Sequence, residues 1–375
     1  MSTFPHASII LVGYNSAEWL PHAVPALVRQ NYPANVEVIF VDNGSSDDSV
    51  ELVRREFPTV RIIESDRNGG YAGGNNLGAQ HAKGEVLAFV NPDTYAEPNW
   101  LMELVRPLVS ERSIGMTTSK IVRMDSRETI NTCGNDISLS GITTCRAAGA
   151  SASAISADED VPAVSGAACA IRRDLFLRLG GFDEQFFMYL EDTDLSWRVR
   201  LAGYRCRLAA RSVVAHDYQF RLTATKTERV ERNRYLMLAK NLSFRSLIVL
   251  IPIFLAGEVV TWGWALSHGL RHTVAKTKAI GWMLTHPRLV LALHARAQET
   301  RRVSDAALLH SYRPAPAINE VSTGAVGQLA QAVLAPLFAL TAMLAFALIS
   351  LPANEAASDA RVITQEASST ARSGS

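Results

Sequence analysis

The first 115 residues of this 375-residue chain predict an α/β fold with a parallel, doubly wound sheet. Two observations carry that expectation. Short apolar runs alternate with segments whose apolar residues recur at helical spacing. Polar clusters, at Asn15, 42–47, 67–76 and 91–93, fall where the apolar runs end. Open α/β sheets bind ligands at the carboxyl ends of their strands, so these clusters mark a candidate site.

The elements follow in order. Residues 8–12 (SIILV) read as a buried strand. Residues 16–30 carry Trp19, Leu20, Val24, Leu27 and Val28 at helical spacing. Residues 36–41 (VEVIFV) form a second strand that ends at Asp42. Residues 47–57 read as a helix capped by Ser45 or Ser46. Residues 60–63 are a third strand, and 75–82 a helix that follows a glycine-rich turn. Residues 86–90 (VLAFV) are a fourth strand, ending at Asn91-Pro92-Asp93. Residues 146–160 are small and polar and read as a loop over the site or a short insertion.

The net charge of +1 conceals unlike parts. Residues 1–195 hold 15 Lys and Arg against 26 Asp and Glu, whereas 196–245 hold 12 against 3 and 268–313 hold 8 against 2. An acidic front and a basic rear imply different partners for each. At 48% hydrophobic residues the chain is too apolar to be disordered. Four cysteines without CxxC spacing argue against a zinc site and fit a reducing compartment. Residues 1–30 lack the pattern of a signal peptide, so the N-terminal part is expected in the cytosol.

Four motifs bear chemistry. Asp42 at a strand tip can accept a hydrogen bond from a nucleobase, although residues 42–47 would also make an ordinary capped loop. Residues 67–76 (RNGGYAGGNN) place four glycines between Arg67, Asn68, Asn75 and Asn76, which suits close backbone approach to an anion. Asp93 can hold a divalent metal, since hard cations prefer oxygen ligands. Residues 165–203 contain Asp183 and Glu184 in a turn, then Glu191, Asp192 and Asp194 opening a helix that runs through Trp197. Crowded acids raise one another's pKa and can keep one as a general base. His216 at a later strand tip is a further ligand candidate.

The ordered series VxYN, VDNGSSDDS, RNGGYAGGNNLG, FVNPD, SGAACAIRRDLF, GGFDEQFFMYLEDTDLSWRVRLAGY and AHD resembles family 2 glycosyltransferases, and most of all their rhamnosyltransferase-like branch. The resemblance covers roughly residues 6–240. It implies a GT-A fold, a Rossmann-like mixed sheet, and an inverting transfer from a nucleotide-diphosphate sugar with Mg²⁺ or Mn²⁺. It places Asn15, Asp42, Arg67, Asn68, Gly69, Gly70, Asn75 and Asn91 at the donor nucleotide and Asp93 and His216 at the metal. Asn91 stands where the family's metal motif has its first acid. Asp192 matches the catalytic base, with Glu191 beside it. Asp183, Glu184 and Trp197 fall near the acceptor. The implied acceptor is a lipid-linked or growing glycan of cell-envelope polysaccharide or glycoprotein synthesis; no nucleic-acid partner is implied. A nucleotidyltransferase of related fold and a non-catalytic scaffold are the alternatives.

Beyond the catalytic domain, 1–240, the chain turns apolar. Residues 329–352 predict a membrane-spanning helix, because 332–351 carry no charge. Residues 241–313 predict an interfacial or re-entrant segment followed by basic amphipathic helices on lipid head groups. Residues 353–375 read as a disordered tail. The whole is expected on the cytoplasmic face of the cell membrane.

Overall fold

The computed structural model describes residues 4–217, 223–316 and 325–350, except the side chains of 325–330, 333 and 350. The front half alternates strands and helices as expected: β1 (Ala7–Gly13), α1 (Leu20–Val28), β2 (Val36–Asp42), α2 (Ser49–Glu56), β3 (Arg61–Glu64), α3 (Gly70–His81) and β4 (Val86–Val90). There follow β5 (Thr94–Ala96), α4 (Trp100–Ser110), β6 (Ile114–Arg123), β7 (Ile130–Thr132), β8 (Asn135–Ile137), β9 (Thr143–Cys145), β10 (Glu159–Val161), β11 (Ala168–Arg172), α5 (Arg173–Arg178), α6 (Glu191–Leu201) and β12 (Arg205–His216).

The main sheet has ten strands in the order β10-β12-β6-β11-β4-β1-β2-β3, with β5 on β12 and β7 on β6. Strands β3, β2, β1 and β4 are parallel, as the alternation predicts. Beyond β4 the sheet is mixed, because β11 runs antiparallel to both β4 and β6. Side chains of β1 alternate between two cores. Ile9 and Leu11 pack with α1 and α4, and Ile10 packs with α3, α5 and α6. Each such fully buried aliphatic side chain contributes roughly 1.5–3 kcal/mol of transfer free energy.

Helix α3 begins five residues before the expected start, inside the glycine-rich segment. Its glycines let the helix lie close on the sheet. A Cβ at Gly74 would sit 2.5 Å from Val12 Cγ1, and one at Gly78 would sit 2.6 Å from Ile10 Cγ2. The run expected as an anion loop is therefore helical from Gly70 onward, and it packs on the sheet at Gly74. Residues 146–160 do not cover the site. Lys120 Nζ donates to the carbonyls of Ala152 and Ile155, and β10 pairs with β12 at the sheet edge.

A helical layer follows: α7 (Ala224–Asn241), α8 (Phe244–Val249), α9 (Ile251–Ser267), α10 (Leu270–Thr285), α11 (Pro287–Glu299) and α12 (Asp305–Leu309), then a last helix, Ala325–Ser350. A third core joins it to the sheet-bearing half through Phe186, Trp197, Leu236 and Leu250. A buried network ties α7 to α9 and α10. Arg234 reaches Glu231 at 2.9 Å and Glu258 at 2.5 Å, and Lys276 pairs with both acids. Among the described residues no helix is long and apolar enough to cross a membrane. The unbroken run of described side chains in the last helix is 334–349. The expected tail, 353–375, and the end of the expected span lie outside the described residues.

Candidate active site

A cavity of about 550 Å³ opens at the carboxyl ends of β1 and β4. Of the residues expected at the site, it brings together Asn68, Gly70, Asn91, Asp93, Glu191, Asp192 and His216.

The pairing of short strands assembles one wall. In the antiparallel pair of β5 and β12, His216 lies opposite Thr94, which sets Asp93 beside the imidazole. His216 Nε2 is 3.2 Å from Asp93 Oδ1, and its Nδ1 is 3.1 Å from Asn131 Oδ1 on β7. Thr94 and Asp217 donate to the carbonyls of Asn91 and Asp93 and fix the turn. Among the described residues no group of three or more His, Cys, Asp or Glu could hold a metal ion. Asp93 and His216 still suit a divalent cation. Asp93 Oδ1 is a buried oxygen with no hydrogen bond among the described residues, and it lies 3.2 Å from the ring nitrogen. Such a pair leaves most of a cation's coordination to phosphate oxygens and water.

The acids Glu191 and Asp192 line the same cavity. Asp192 Oδ2 accepts from Gly166 N at 2.7 Å and Asn135 Nδ2 at 3.3 Å, and Oδ1 accepts from Thr193 N at 2.6 Å. Burial raises the Asp192 pKa above the ordinary carboxylate value, against the pull of these donors. Burial, with the charge of Asp192, pushes Glu191 up well beyond its usual range. Asp194 goes the other way. Burial pushes it up, but Arg198 at 2.8 Å and Lys240 at 3.0 Å more than offset that, so it stays a carboxylate. The three acids of one helical turn thus differ: burial raises Glu191 and Asp192, whereas the paired cations hold Asp194 down.

Strain is concentrated just before this helix. Phe187, Tyr189 and Leu190 have φ of 60°, 75° and 66°, in the left-handed region. Each costs roughly 1–2 kcal/mol relative to ordinary backbone. Gly70 has φ of 69° and lies against Phe187, where a Cβ would collide with the Phe187 backbone. Its glycine is therefore demanded by the approach of two loops.

Other expected site residues lie elsewhere. Asn15 accepts from Ser46 N at 2.8 Å and donates its backbone N–H to Ser45, tying the first loop to the second. Asp42 is buried and accepts from the amides of Gly44 and Ser45. Arg67, Gly69 and Asn75 are not on the cavity wall, and Asn75 donates to the carbonyl of Tyr71. Asp183 and Glu184 line a separate cavity of about 450 Å³, where Asp183 pairs with Lys240 at 2.6 Å and Glu184 accepts from Asn76. Trp197 is a core residue, edge-on to Tyr312 at 5.1 Å.

Several wall residues were not singled out, although Asn43 and Tyr71 lie within the quoted motifs. Asn43 donates to the carbonyl of Gly70, and Tyr71 donates to the carbonyl of Gly166, whose N–H holds Asp192. The single aromatic within a glycine run was the available signal for Tyr71. Lys226 also lines the cavity, with its Nζ 4.9 Å from the Tyr189 ring centroid.

The fold and this cavity define an α/β protein whose acids and histidine converge at strand ends. Residues 8–179 match the family described as "Glycosyl transferase family 2". Glycosyltransferase AglE of Haloferax volcanii is 37% identical over 106 residues, covering 27% of this chain and 34% of that one. The crystal structure of GalNAc-T7 with UDP, GalNAc and Mn²⁺ superposes with a TM-score of 0.56 at 18% identity, over 69% of this chain and 51% of that one. That of S. aureus TarS residues 1–349 with UDP does so with a TM-score of 0.52 at 16% identity, over 92% and 89%. At these identities the structures show a shared fold. The chain spans 23–40% of the length of three curated relatives it matches. Over these matched segments the chain resembles family 2 glycosyltransferases.

Proposed function

We propose that this protein is an inverting glycosyltransferase that moves a hexose from a nucleoside-diphosphate sugar to a hydroxyl of a lipid-linked or growing glycan. The observation that carries the reading is one cavity lined by both Asp192 and the Asp93–His216 pair. Asp192 takes the proton of the acceptor hydroxyl as its oxygen bonds to the anomeric carbon. The bond from that carbon to the diphosphate oxygen breaks, and its electron pair leaves with the nucleoside diphosphate. Asp93 and His216 would hold a Mg²⁺ or Mn²⁺, which when bound offsets charge on the departing diphosphate. Asn43, Asn68 and the Gly70 backbone face the donor's side of the cavity. L-Rhamnose is the first donor sugar to test, on the motif likeness.

Attachment to the cytoplasmic face of a membrane belongs to the same proposal. Supporting it, Phe244, Ile248, Ile251, Leu255 and Val259 on α8 and α9 are exposed, as are Leu340, Met343, Leu344 and Leu348 on the last helix. Exposed apolar surface on this scale fits the headgroup boundary of a bilayer, with the basic residues Arg245, Arg271 and Lys278 nearby in sequence.

The test is a panel of dTDP-rhamnose, UDP-N-acetylglucosamine and GDP-mannose with Mg²⁺ or Mn²⁺, read as nucleoside diphosphate release and as product anomeric configuration by NMR. Metal-dependent release with inversion is expected. A folded protein that cleaves none of a broad donor panel, with or without glycan acceptors, would sink the reading.

A further inference from the structure

We infer that Asn233 is the positioning residue of the catalytic loop: from helix α7 it holds the left-handed backbone that presents Asp192 to the cavity. The inference rests on the glycosyltransferase reading above. Asn233 is fully buried, and its Nδ2 lies 3.0 Å from the carbonyl of Phe186, 3.0 Å from that of Met188 and 2.7 Å from that of Tyr189. These carbonyls belong to the segment in which Phe187, Tyr189 and Leu190 all have positive φ. Left-handed backbone at non-glycine residues persists only where its surroundings determine it, and a buried amide shared among three carbonyls does so. Arg232 completes the clamp. Its guanidinium donates to Asn233 Oδ1 at 2.8 Å, fixing which way the amide faces, and to the carbonyls of Gln185 and Phe186.

The clamp acts where the chemistry is decided. Leu190 is the left-handed residue that starts helix α6, and Glu191 and Asp192 follow it directly. A loop relaxed to ordinary backbone would swing the first turn of α6 and move the Asp192 carboxylate off Gly166 N. Of the residues on the donor side, Asn43 and Asn68 lie outside this loop, and only Gly70 packs against it, at Phe187. Loss of the clamp should therefore lower turnover more than it weakens nucleotide binding.

Asn233→Asp keeps the volume and replaces the donors by acceptors facing three carbonyls. For this variant, kcat is expected to fall at least tenfold, measured with whichever UDP-, GDP- or dTDP-hexose the wild type cleaves. The Kd for the matching nucleoside diphosphate, by titration calorimetry, should stay within about twofold. Asparagine tolerates left-handed backbone better than leucine. Adding Leu190→Asn to Asn233→Asp should therefore restore kcat at least threefold, which a purely structural lesion would not allow. An unchanged kcat in Asn233→Asp, a parallel loss of nucleotide affinity, or no restoration by Leu190→Asn overturns the inference. Should Asn233→Asp not fold, Arg232→Gln reads the same split with a smaller loss of kcat, and an unchanged kcat there overturns it too. A wild type that cleaves no donor defeats the glycosyltransferase reading; an active wild type with an indifferent Asn233→Asp defeats this inference alone.

Discussion

Asp93 Oδ1 and His216 Nε2 lie 3.2 Å apart at the ends of two paired strands that are more than 100 residues distant in sequence. Their approach follows from backbone pairing, so substitution of either side chain should leave the sheet intact. Asp93→Ala should lower transfer on the order of a hundredfold, since a metal's electrostatic help is worth several kcal/mol and about 1.4 kcal/mol is tenfold. His216→Ala should cost less, because imidazole leaves the harder carboxylate in place. Both variants should need more Mn²⁺ for half-maximal rate. Wild-type activity that survives exhaustive chelation would rule the pair out as a metal site.

Replacing Asp192 by Asn removes the base and preserves shape. The rate should drop by about 10²–10⁴-fold, the usual worth of general base catalysis, with nucleotide affinity retained. Because burial raises the Asp192 pKa, the acidic limb of the rate profile should lie above the ordinary carboxylate range, and activity should fall as pH drops through that limb. Retention of most activity by Asp192→Asn would reassign the base.

Glu191 separates the two acids. Burial and the charge of Asp192 raise its pKa well above the ordinary carboxylate value, which favours the protonated form, and a protonated carboxyl resembles an amide in shape and polarity. Glu191→Gln should keep turnover within about tenfold of wild type and leave stability nearly unchanged. A loss as deep as that of Asp192→Asn would make Glu191 the base.

Asp194 predicts a stability effect without chemistry. Its carboxylate sits fully buried against Arg198 and Lys240 and accepts from Asn241 at 2.8 Å. Breaking such a buried pair typically costs about 3–5 kcal/mol, because the cations keep their burial and lose their partner. Asp194→Asn should lower the denaturation midpoint accordingly. The sign with pH follows from its depressed pKa. The stabilisation is present above the unfolded carboxylate value and is lost as pH falls through the lower folded one. A variant as stable as wild type at pH 7 would remove this role.

The legible parts of the chain were those set by local periodicity. β1, β2 and β4 lie within two residues of their expected bounds, because a buried parallel strand is a continuous apolar run. Asp93, Asp192 and His216 were visible as polar residues at element ends and share one cavity. The loop hydrogen bonds of Asp42 and Asn15 were not visible. Whether a strand-tip carboxylate reaches its own loop amides depends on backbone geometry of the turn, which the residue types leave open. The separate cavity of Asp183 and Glu184 was hidden for a related reason. They stand close to Asp192 in sequence, but the left-handed turn at Phe187–Leu190 carries the chain from one cavity to another. The antiparallel insertion of β11 between β4 and β6 depends on pairing across about 50 residues to β6 and about 80 to β4, and no local pattern reports that.

The apolar surface of α8 and α9 makes the last prediction. Leu255 and Val259 are more than 60% exposed on consecutive turns of α9, while Ile253 and Gly257 face the core. Exposing leucine and valine to water forgoes roughly 1.5–3 kcal/mol each, so an interfacial partner has that much to recover per side chain. Sedimentation with vesicles containing anionic phospholipid should therefore bring the wild type down, and high salt should weaken the association only in part, since screening acts on the basic residues and not on the apolar contact. Leu255→Glu with Val259→Glu should release the protein while leaving donor hydrolysis within about twofold, because neither residue borders the 550 Å³ cavity. Equal sedimentation of wild type and double variant would show that α9 does not face lipid.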